Sequence, residues 1–206
     1  VDTGSQALTA LSVTGATTGG TLKISDGGTI GSASDVDAIS ISSGGVVTLS
    51  QSSQNAQSFR LTQDVSGTGS LQTFTPFEEA DTDYTRVGSA NWTVSSGIFS
   101  VATTGTYLCY YHCSINAVSG GDEFDLAIQI STNSGGAYTT RARTYGFENG
   151  QKNSASNQLI FTVSDAGTFR LRMSTGEING MASGSSMLGD TSMTETGITF
   201  VKLGVI

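Results

Sequence analysis

One segment of this sequence places bulky side chains on both sides of a predicted β-strand. Residues 106–115 read TYLCYYHCSI, and because side chains alternate across a strand, the two faces can be assigned directly. One face carries Tyr107, Cys109, Tyr111, Cys113 and Ile115, and the other carries Leu108, Tyr110 and His112. A sandwich core covers only one face of a strand, and a large apolar face is rarely left in water. The pattern therefore predicts that another subunit covers the second face.

The C-terminal strand repeats this two-faced pattern. Ile198 and Phe200 point to one side, whereas Val201, Leu203 and Val205 point to the other. We therefore expect a homo-oligomer in which both strands contribute to the contact between subunits. The predicted interface consists of Leu108, Tyr110, His112, Val201, Leu203 and Val205.

Three further segments show the simple alternation of half-buried antiparallel strands. Apolar side chains recur at every second position in residues 124–130, 159–163 and 169–173. Turns rich in Gly, Asn and Asp separate the strands, and the chain contains 27 Gly but only 1 Pro. Many strands at this spacing predict an all-β fold, a sandwich of jelly-roll type.

The first 55 residues differ from the rest in composition. No aromatic residue precedes Asn55, and the apolar residues come in short alternating bursts. Such a segment cannot offset an ordering cost of about 1–2 kcal/mol per residue within one chain. Either it is disordered or it packs against other chains, and its regular alternation favours the second. We predict an intertwined, short-stranded β stalk over residues 1–55, a neck over residues 56–79 and a head over residues 80–206.

The charge balance excludes several classes of partner. Nine Lys and Arg against 17 Asp and Glu give a net charge of −8, and the basic residues are scattered singly. Because there is no basic stripe for phosphate groups, we expect no nucleic acid as a partner. No apolar run approaches the roughly 18 residues that span a bilayer, so we expect no membrane insertion.

The two cysteines are predicted to be free. Cys109 and Cys113 lie four residues apart on one strand, which separates their Cα atoms by about 13 Å, whereas a disulfide needs roughly 4.4–6.8 Å. Unpaired thiols favour assembly in a reducing cytoplasm. His112 faces away from both thiols, which argues against a Cys–His nucleophile. A zinc site would need His112 from three chains on a threefold axis, and a packed interface histidine is the preferred interpretation.

The spacing of the aromatic residues resembles a known family. Trp92, Phe99 and the run GTYLCYY at residues 105–111 resemble the signature of C1q/TNF-like jelly rolls, and GITFVKL at residues 197–203 resembles the last strand of that family. The resemblance covers about residues 84–206 and implies a homotrimer. A Gly/Ser/Thr-rich β segment before such a head is similar to bacteriophage tail-fibre and virion-protrusion proteins. That likeness implies a virion protein, assembled in the bacterial cytoplasm, whose stalk contacts other virion proteins.

Two groups of side chains are candidate binding residues. Aromatic and amide groups in turns can stack on sugar rings and bind hydroxyl groups, and the candidates are Tyr138, Tyr145, Phe147 and Asn149. Carboxylates can hold Ca²⁺, and the weak candidates are Asp122, Glu123 and Asp125. Solvated turns, or partners for arginines, are the preferred interpretation of these acidic residues. Ca²⁺ stays open because the resembled heads often bind it, and we expect no other cofactor.

Nothing in the sequence indicates catalysis. No Gly-x-Ser-x-Gly elbow is present, and there is no second histidine to activate a nucleophile. We therefore predict a structural and adhesive fibre or protrusion protein whose trimeric head binds a bacterial surface receptor, a glycan. One alternative is a capsid-decoration trimer anchored on the virion shell. A second alternative is a tailspike-type polysaccharide hydrolase.

Overall fold

The computed structural model describes residues 29–30, 39–49, 55–81, 86–118, 123–147 and 150–204. The chain divides into two compact units, Val1–Gln51 and Ser52–Ile206. All strand pairs in the described residues are antiparallel. None of these residues forms a helix able to cross a membrane.

The first unit contains a small antiparallel sheet. Its strands are β1 (Thr29–Ile30), β2 (Ile39–Ile41) and β3 (Val47–Leu49), paired in that order. In the turn before β3, the Ser42 hydroxyl accepts a hydrogen bond from the Val46 N–H at 3.1 Å. Ile30, Val46 and Val47 are exposed. Most of the predicted stalk lies outside the described residues, so its intertwining stays a prediction.

The second unit is a sandwich of two sheets. The strands of the first, called the β10 sheet here, are β4 (Ala56–Leu61), β5 (Val65–Ser66), β7 (Phe77–Glu79), β10 (Gly105–Asn116), β13 (Lys152–Val163), β15 (Ser186–Met187) and β16 (Gly197–Gly204). The strands of the second, called the β11 sheet, are β6 (Gln72–Thr73), β8 (Trp92–Ser95), β9 (Ile98–Val101), β11 (Glu123–Ser131), β12 (Thr139–Phe147) and β14 (Arg170–Thr175).

Strand β10 lies at the centre of its sheet. It pairs with β13 along one side over the whole length of both strands and with β16 along the other, and β16 pairs in turn with β4. In the opposite sheet the order is β12-β11-β14-β9-β8. Strands distant in sequence are therefore neighbours in both sheets, which is the connectivity of a jelly roll. The predicted all-β jelly-roll sandwich is confirmed.

The two faces of β10 are as the alternation predicted. Tyr107, Cys109, Tyr111, Cys113 and Ile115 are completely buried between the sheets. The core continues into an aromatic cluster, where Trp92 stacks on Phe200 with ring centroids 3.9 Å apart. Trp92 is therefore a core residue, at 1% exposure.

The predicted neck over residues 56–79 is wrong. Strand β4 lies inside the β10 sheet between β16 and β7. The buried side chain of Gln57 fixes the start of β8. Its Oε1 accepts hydrogen bonds from the backbone N–H groups of Asn91 and Trp92 at 3.0 and 2.8 Å. Arg60 is 1% exposed because it pairs with Glu78 at 2.8 Å and Asp81 at 2.6 Å. This segment is integral to the sandwich, because β4 pairs with β16, the last strand of the same sheet.

Both cysteines are buried and free, as predicted. Burial raises the pKa of Cys109 and of Cys113 to about 12, so that thiolate is almost absent near neutral pH. We expect neither cysteine to react with iodoacetamide in the folded protein at about pH 8, where a free cysteine of ordinary pKa reacts. Both should react after denaturation. Intact-mass spectrometry counts the adducts, and a folded protein carrying one or two would contradict the burial.

Candidate functional site

The outer side of the β10 sheet carries a row of apolar side chains across four strands. Ile160 of β13 lies opposite Leu108 of β10, Leu108 lies opposite Val201 of β16, and Val201 lies opposite Ala56 of β4. Directly paired side chains on one face are in contact range. Together with neighbours on the same side they form what we call the assembly face, which consists of Leu108, Tyr110, His112, Ile160, Val201 and Leu203.

Three large apolar side chains of the assembly face are exposed to water, although such side chains are usually buried in a folded protein. Ile160 is 63% exposed, Leu203 52% and Tyr110 46%. Leu108 and Val201 are half-buried between them. The structure therefore places five of the six residues of the predicted interface on one face, and Val205 lies outside the described residues. Sequence reasoning missed Ile160 as a residue of this face, although an isoleucine on the outward side of an alternating strand was a usable signal.

His112 lies on the assembly face with its side chain away from the cysteines. Its ring stacks on Tyr110 with centroids 6.0 Å apart and an interplanar angle of 26°. The part of the chain that the structure describes contains no group of three His, Cys, Asp or Glu side chains able to hold a metal ion. Within one chain His112 contributes an aromatic ring, stacked on Tyr110, to this face.

A groove continues the assembly face at one end of the row. Its volume is about 390 Å³, and its lining consists of Asn55, Ala56, Val87, Val201, Lys202 and Leu203. Val87 forms a single bridge with Ala56, which extends the sheet by one residue beyond β4. The Asn55 side chain donates a hydrogen bond to the Ser89 carbonyl and so supports the segment that carries Val87. The groove is thus a fixed part of the sheet surface.

Carboxylates on the outer side of the β11 sheet hold a loop in place. Asp125 is completely buried, and its Oδ1 accepts hydrogen bonds from the backbone N–H groups of Ile178 and Asn179 at 2.9 and 2.8 Å. The Glu123 carboxylate accepts one from the Asn179 side chain at 3.2 Å. Two of the three candidate metal ligands therefore hold a loop. The third, Asp122, lies outside the described residues.

Glu177 and Arg143 complete this arrangement. Arg143 Nη2 donates to Glu177 Oε2 at 2.6 Å, and its Nε lies 3.8 Å from Asp125 Oδ2. The Thr140 hydroxyl also donates to Glu177, and this hydrogen bond, together with Arg143, lowers the pKa of the Glu177 carboxyl. The hydrogen bond from Arg143 to Glu177 in turn raises the pKa of the guanidinium. Arg143 and Glu177 therefore form an ionised pair at neutral pH beside the loop.

The candidate glycan-binding residues do not form one group. Tyr138 precedes β12, and its ring lies under the Arg172 guanidinium at 4.0 Å. Tyr145 and Phe147 lie toward the opposite end of β12, about 23 Å and about 30 Å from Tyr138 at the rise of a strand. They are 43% and 65% exposed, and they pair with Asp125 and Glu123 of β11.

The backbone of Ile178, a residue that sequence reasoning missed, lies beside the strand partner of one exposed ring. Ile178 is 57% exposed, and its N–H binds Asp125, the strand partner of Tyr145. We call Tyr145, Phe147 and Ile178 the aromatic patch. Asn149 lies outside the described residues. No local pattern pointed to Ile178, because its place depends on a carboxylate more than fifty residues earlier in the chain.

Comparison with known proteins supports the fold. No family model matches the sequence, and no curated protein matches it. Solved structures do match. The crystal structure of murine APRIL at pH 5.0 has a TM-score of 0.53 and 14% identity, covering 73% of this chain and 99% of that chain. The structure of Eiger TNF from S. frugiperda has a TM-score of 0.55 and 16% identity, covering 74% and 94%. At such low identity the likeness shows a TNF-like jelly-roll fold.

Proposed function

We propose that this chain is a non-catalytic, homotrimeric fibre or protrusion protein of a virion, and that its head binds a glycan on a bacterial surface. The observation that carries the proposal is the assembly face. Strands that already bury one side in the core expose Ile160, Tyr110 and Leu203 on the other. Contiguous apolar surface of this kind marks a protein contact. A trimer is the assembly implied by the resemblance to C1q/TNF-like heads.

The aromatic patch supports the adhesive part of the proposal. It lies on the β11 sheet, opposite to the sheet that carries the assembly face, so trimer formation through that face leaves it open to a ligand. Tyr145 and Phe147 offer ring faces to a sugar, and Glu123 offers a hydrogen-bond acceptor beside them. Three such patches on one rigid trimer bind a repetitive glycan with avidity, so each patch can be weak alone.

Sedimentation velocity tests the trimer. We expect a single species of about three times the 21.1 kDa of one chain at micromolar concentration. A folded monomer that persists to high concentration would remove the basis of the proposal, because the assembly face would then be stable in water.

Cell labelling tests the adhesive part. We expect the double variant Tyr145→Ala and Phe147→Ala to lose at least about tenfold in binding to host cells, because aromatic side chains dominate such contacts. Met193→Ala is the matched control, since Met193 is an exposed apolar residue of another loop at 56% exposure. Fluorescent trimer on cells, with soluble surface polysaccharide as competitor, measures the change. Equal binding by the double variant and wild type would exclude the aromatic patch as the receptor site.

A capsid-decoration trimer remains the second candidate function. Its support is the first unit, whose exposed Ile30, Val46 and Val47 offer apolar surface to another virion protein. Truncation of residues 1–51 separates the two functions, because the second unit is compact by itself. An adhesive head should still label cells after truncation. A decoration protein should lose its binding to particles and show no cell labelling in either form.

A further inference from the structure

We propose that Ile160 of each chain inserts into the groove of the next chain, so that three identical contacts of this kind close the ring. The proposal rests on the trimer proposed above and names the surfaces that meet in it. The occupant of the groove is therefore a second copy of this chain, and the lining that receives it includes Val87 and Leu203.

The two ends of the apolar row differ in shape. At the β13 end, Ile160 is the most exposed residue of the row, at 63%. At the other end, beyond Val201 and Ala56, the surface is concave and forms the groove next to Val87. Four strand spacings separate Ile160 from Val87, about 19 Å. Ile160 therefore cannot reach the groove of its own chain.

Cyclic symmetry requires this kind of asymmetry. In a ring of three, each contact joins two different surfaces, one from each chain, and the same pair of surfaces repeats around the axis. One row that carries a protruding side chain at one end and an apolar groove at the other supplies both surfaces. The groove is continuous with the assembly face, because Val201 and Leu203 belong to both. Its volume of about 390 Å³ admits a branched aliphatic side chain.

Cysteine cross-linking tests the contact in the full chain. The double variant Ile160→Cys and Val87→Cys is treated with a short bis-maleimide and run on a denaturing gel. Cys109 and Cys113 are completely buried, so they add no background reaction. We expect a covalent trimer from the double variant and no ladder from either single variant. Ile178→Cys combined with Val87→Cys is the matched control, because Ile178 has similar exposure but lies at the other sheet, and we expect it to remain uncross-linked.

The cross-linking distinguishes failure of the Ile160 contact from failure of the trimer itself. A ladder that stops at the dimer overturns the proposal, because it shows two chains paired about a twofold axis. Absence of cross-links in a protein that sediments as a trimer also overturns it and leaves the trimer itself standing. A wild-type protein that sediments as a monomer contradicts the proposed function instead.

A charge pair provides a second measurement that does not depend on cysteine geometry. Ile160→Lys alone should dissociate the trimer, because its ammonium group would be buried in a groove that Lys202 already lines, and Val87→Glu alone should weaken the trimer, because its carboxylate would face Ile160. The double variant should recover a trimer, since the two charges then meet across the contact. Val87 is 52% exposed, so the folded chain tolerates its replacement. If both single variants stay trimeric, or if the double variant stays dissociated, Ile160 and Val87 are not partners.

Discussion

The Leu108→Asp variant is expected to be a folded monomer at concentrations where the wild-type chain is a trimer. Leu108 is the central member of the apolar row, between Ile160 on β13 and Val201 on β16. In the monomer the new carboxylate lies on the outer side of β10, where Leu108 is only half-buried, so the core on the other side of the strand is unaffected. In the trimer the carboxylate would be buried against another chain without a partner, which is strongly unfavourable.

The size of the effect follows from the burial of that charge. Breaking a buried ion pair by removing one partner costs about 3–5 kcal/mol, because an uncompensated charge remains. A cost of about 4 kcal/mol at one contact weakens association roughly a thousandfold. Sedimentation equilibrium over a concentration series measures the shift, and circular dichroism verifies the fold. Thr93→Asp is the control, because Thr93 is exposed on β8 of the opposite sheet. A variant at position 108 that assembles as tightly as this control would show that the row is not an interface.

The two-faced strand was predictable because its information is local. Alternation alone assigned Tyr107 and Cys109 to the core and Leu108 and Tyr110 to the outer face, and the structure agrees. The same holds for Ile198 and Phe200 at the C-terminus, both buried. In each case a long strand contains enough residues for its period to stand out against the turns around it.

The neck was mispredicted because its strands are short and their partners are distant. Val65–Ser66 and Gln72–Thr73 have two residues each, too few to show a period. In β4 the alternation is hidden by polar residues, since Gln57 is buried for its hydrogen bonds and Arg60 is covered by Glu78 and Asp81. A buried polar residue reads as a surface residue until its partners are known.

Sequence reasoning identified two residues of the aromatic patch, but not Ile178 or the separation of the patch from Tyr138. Aromatic residues near turns are visible in a sequence, which is why Tyr145 and Phe147 were candidates. Their separation from Tyr138 follows from the length of β12, and the cover of Tyr138 by Arg172 depends on a pairing of distant strands. The loop that carries Ile178 is fixed by Asp125, and such contacts arise only from the tertiary fold. A loop-binding site is therefore predicted less well than the core beneath it.

Replacement of Trp92 by alanine is expected to destabilise the sandwich more than any other single truncation in its core. Trp92 is 1% exposed and stacks on Phe200 at 3.9 Å. Its ring also forms T-shaped pairs with three other rings. The ring centroids are 5.4 Å apart for Tyr107 and 6.2 Å apart for both Phe161 and Phe169. Removal of the indole takes away the side chain that joins β8 to strands of the opposite sheet. The cavity left behind cannot collapse, because rigid rings surround it.

The expected loss is about 3–5 kcal/mol in the free energy of unfolding, the usual range for truncation of a buried Trp or Phe. That is a large part of the 5–15 kcal/mol that typically stabilises a domain. Urea unfolding at one fixed protein concentration measures it, because assembly makes stability depend on concentration. Trp92→Phe is the control: it keeps a ring against Phe200, and it removes an indole N–H that is buried without a hydrogen-bond partner. We therefore expect it to lose much less than the alanine variant. Equal losses would mean that a phenyl ring at this position does not keep the packing that holds β8 in place.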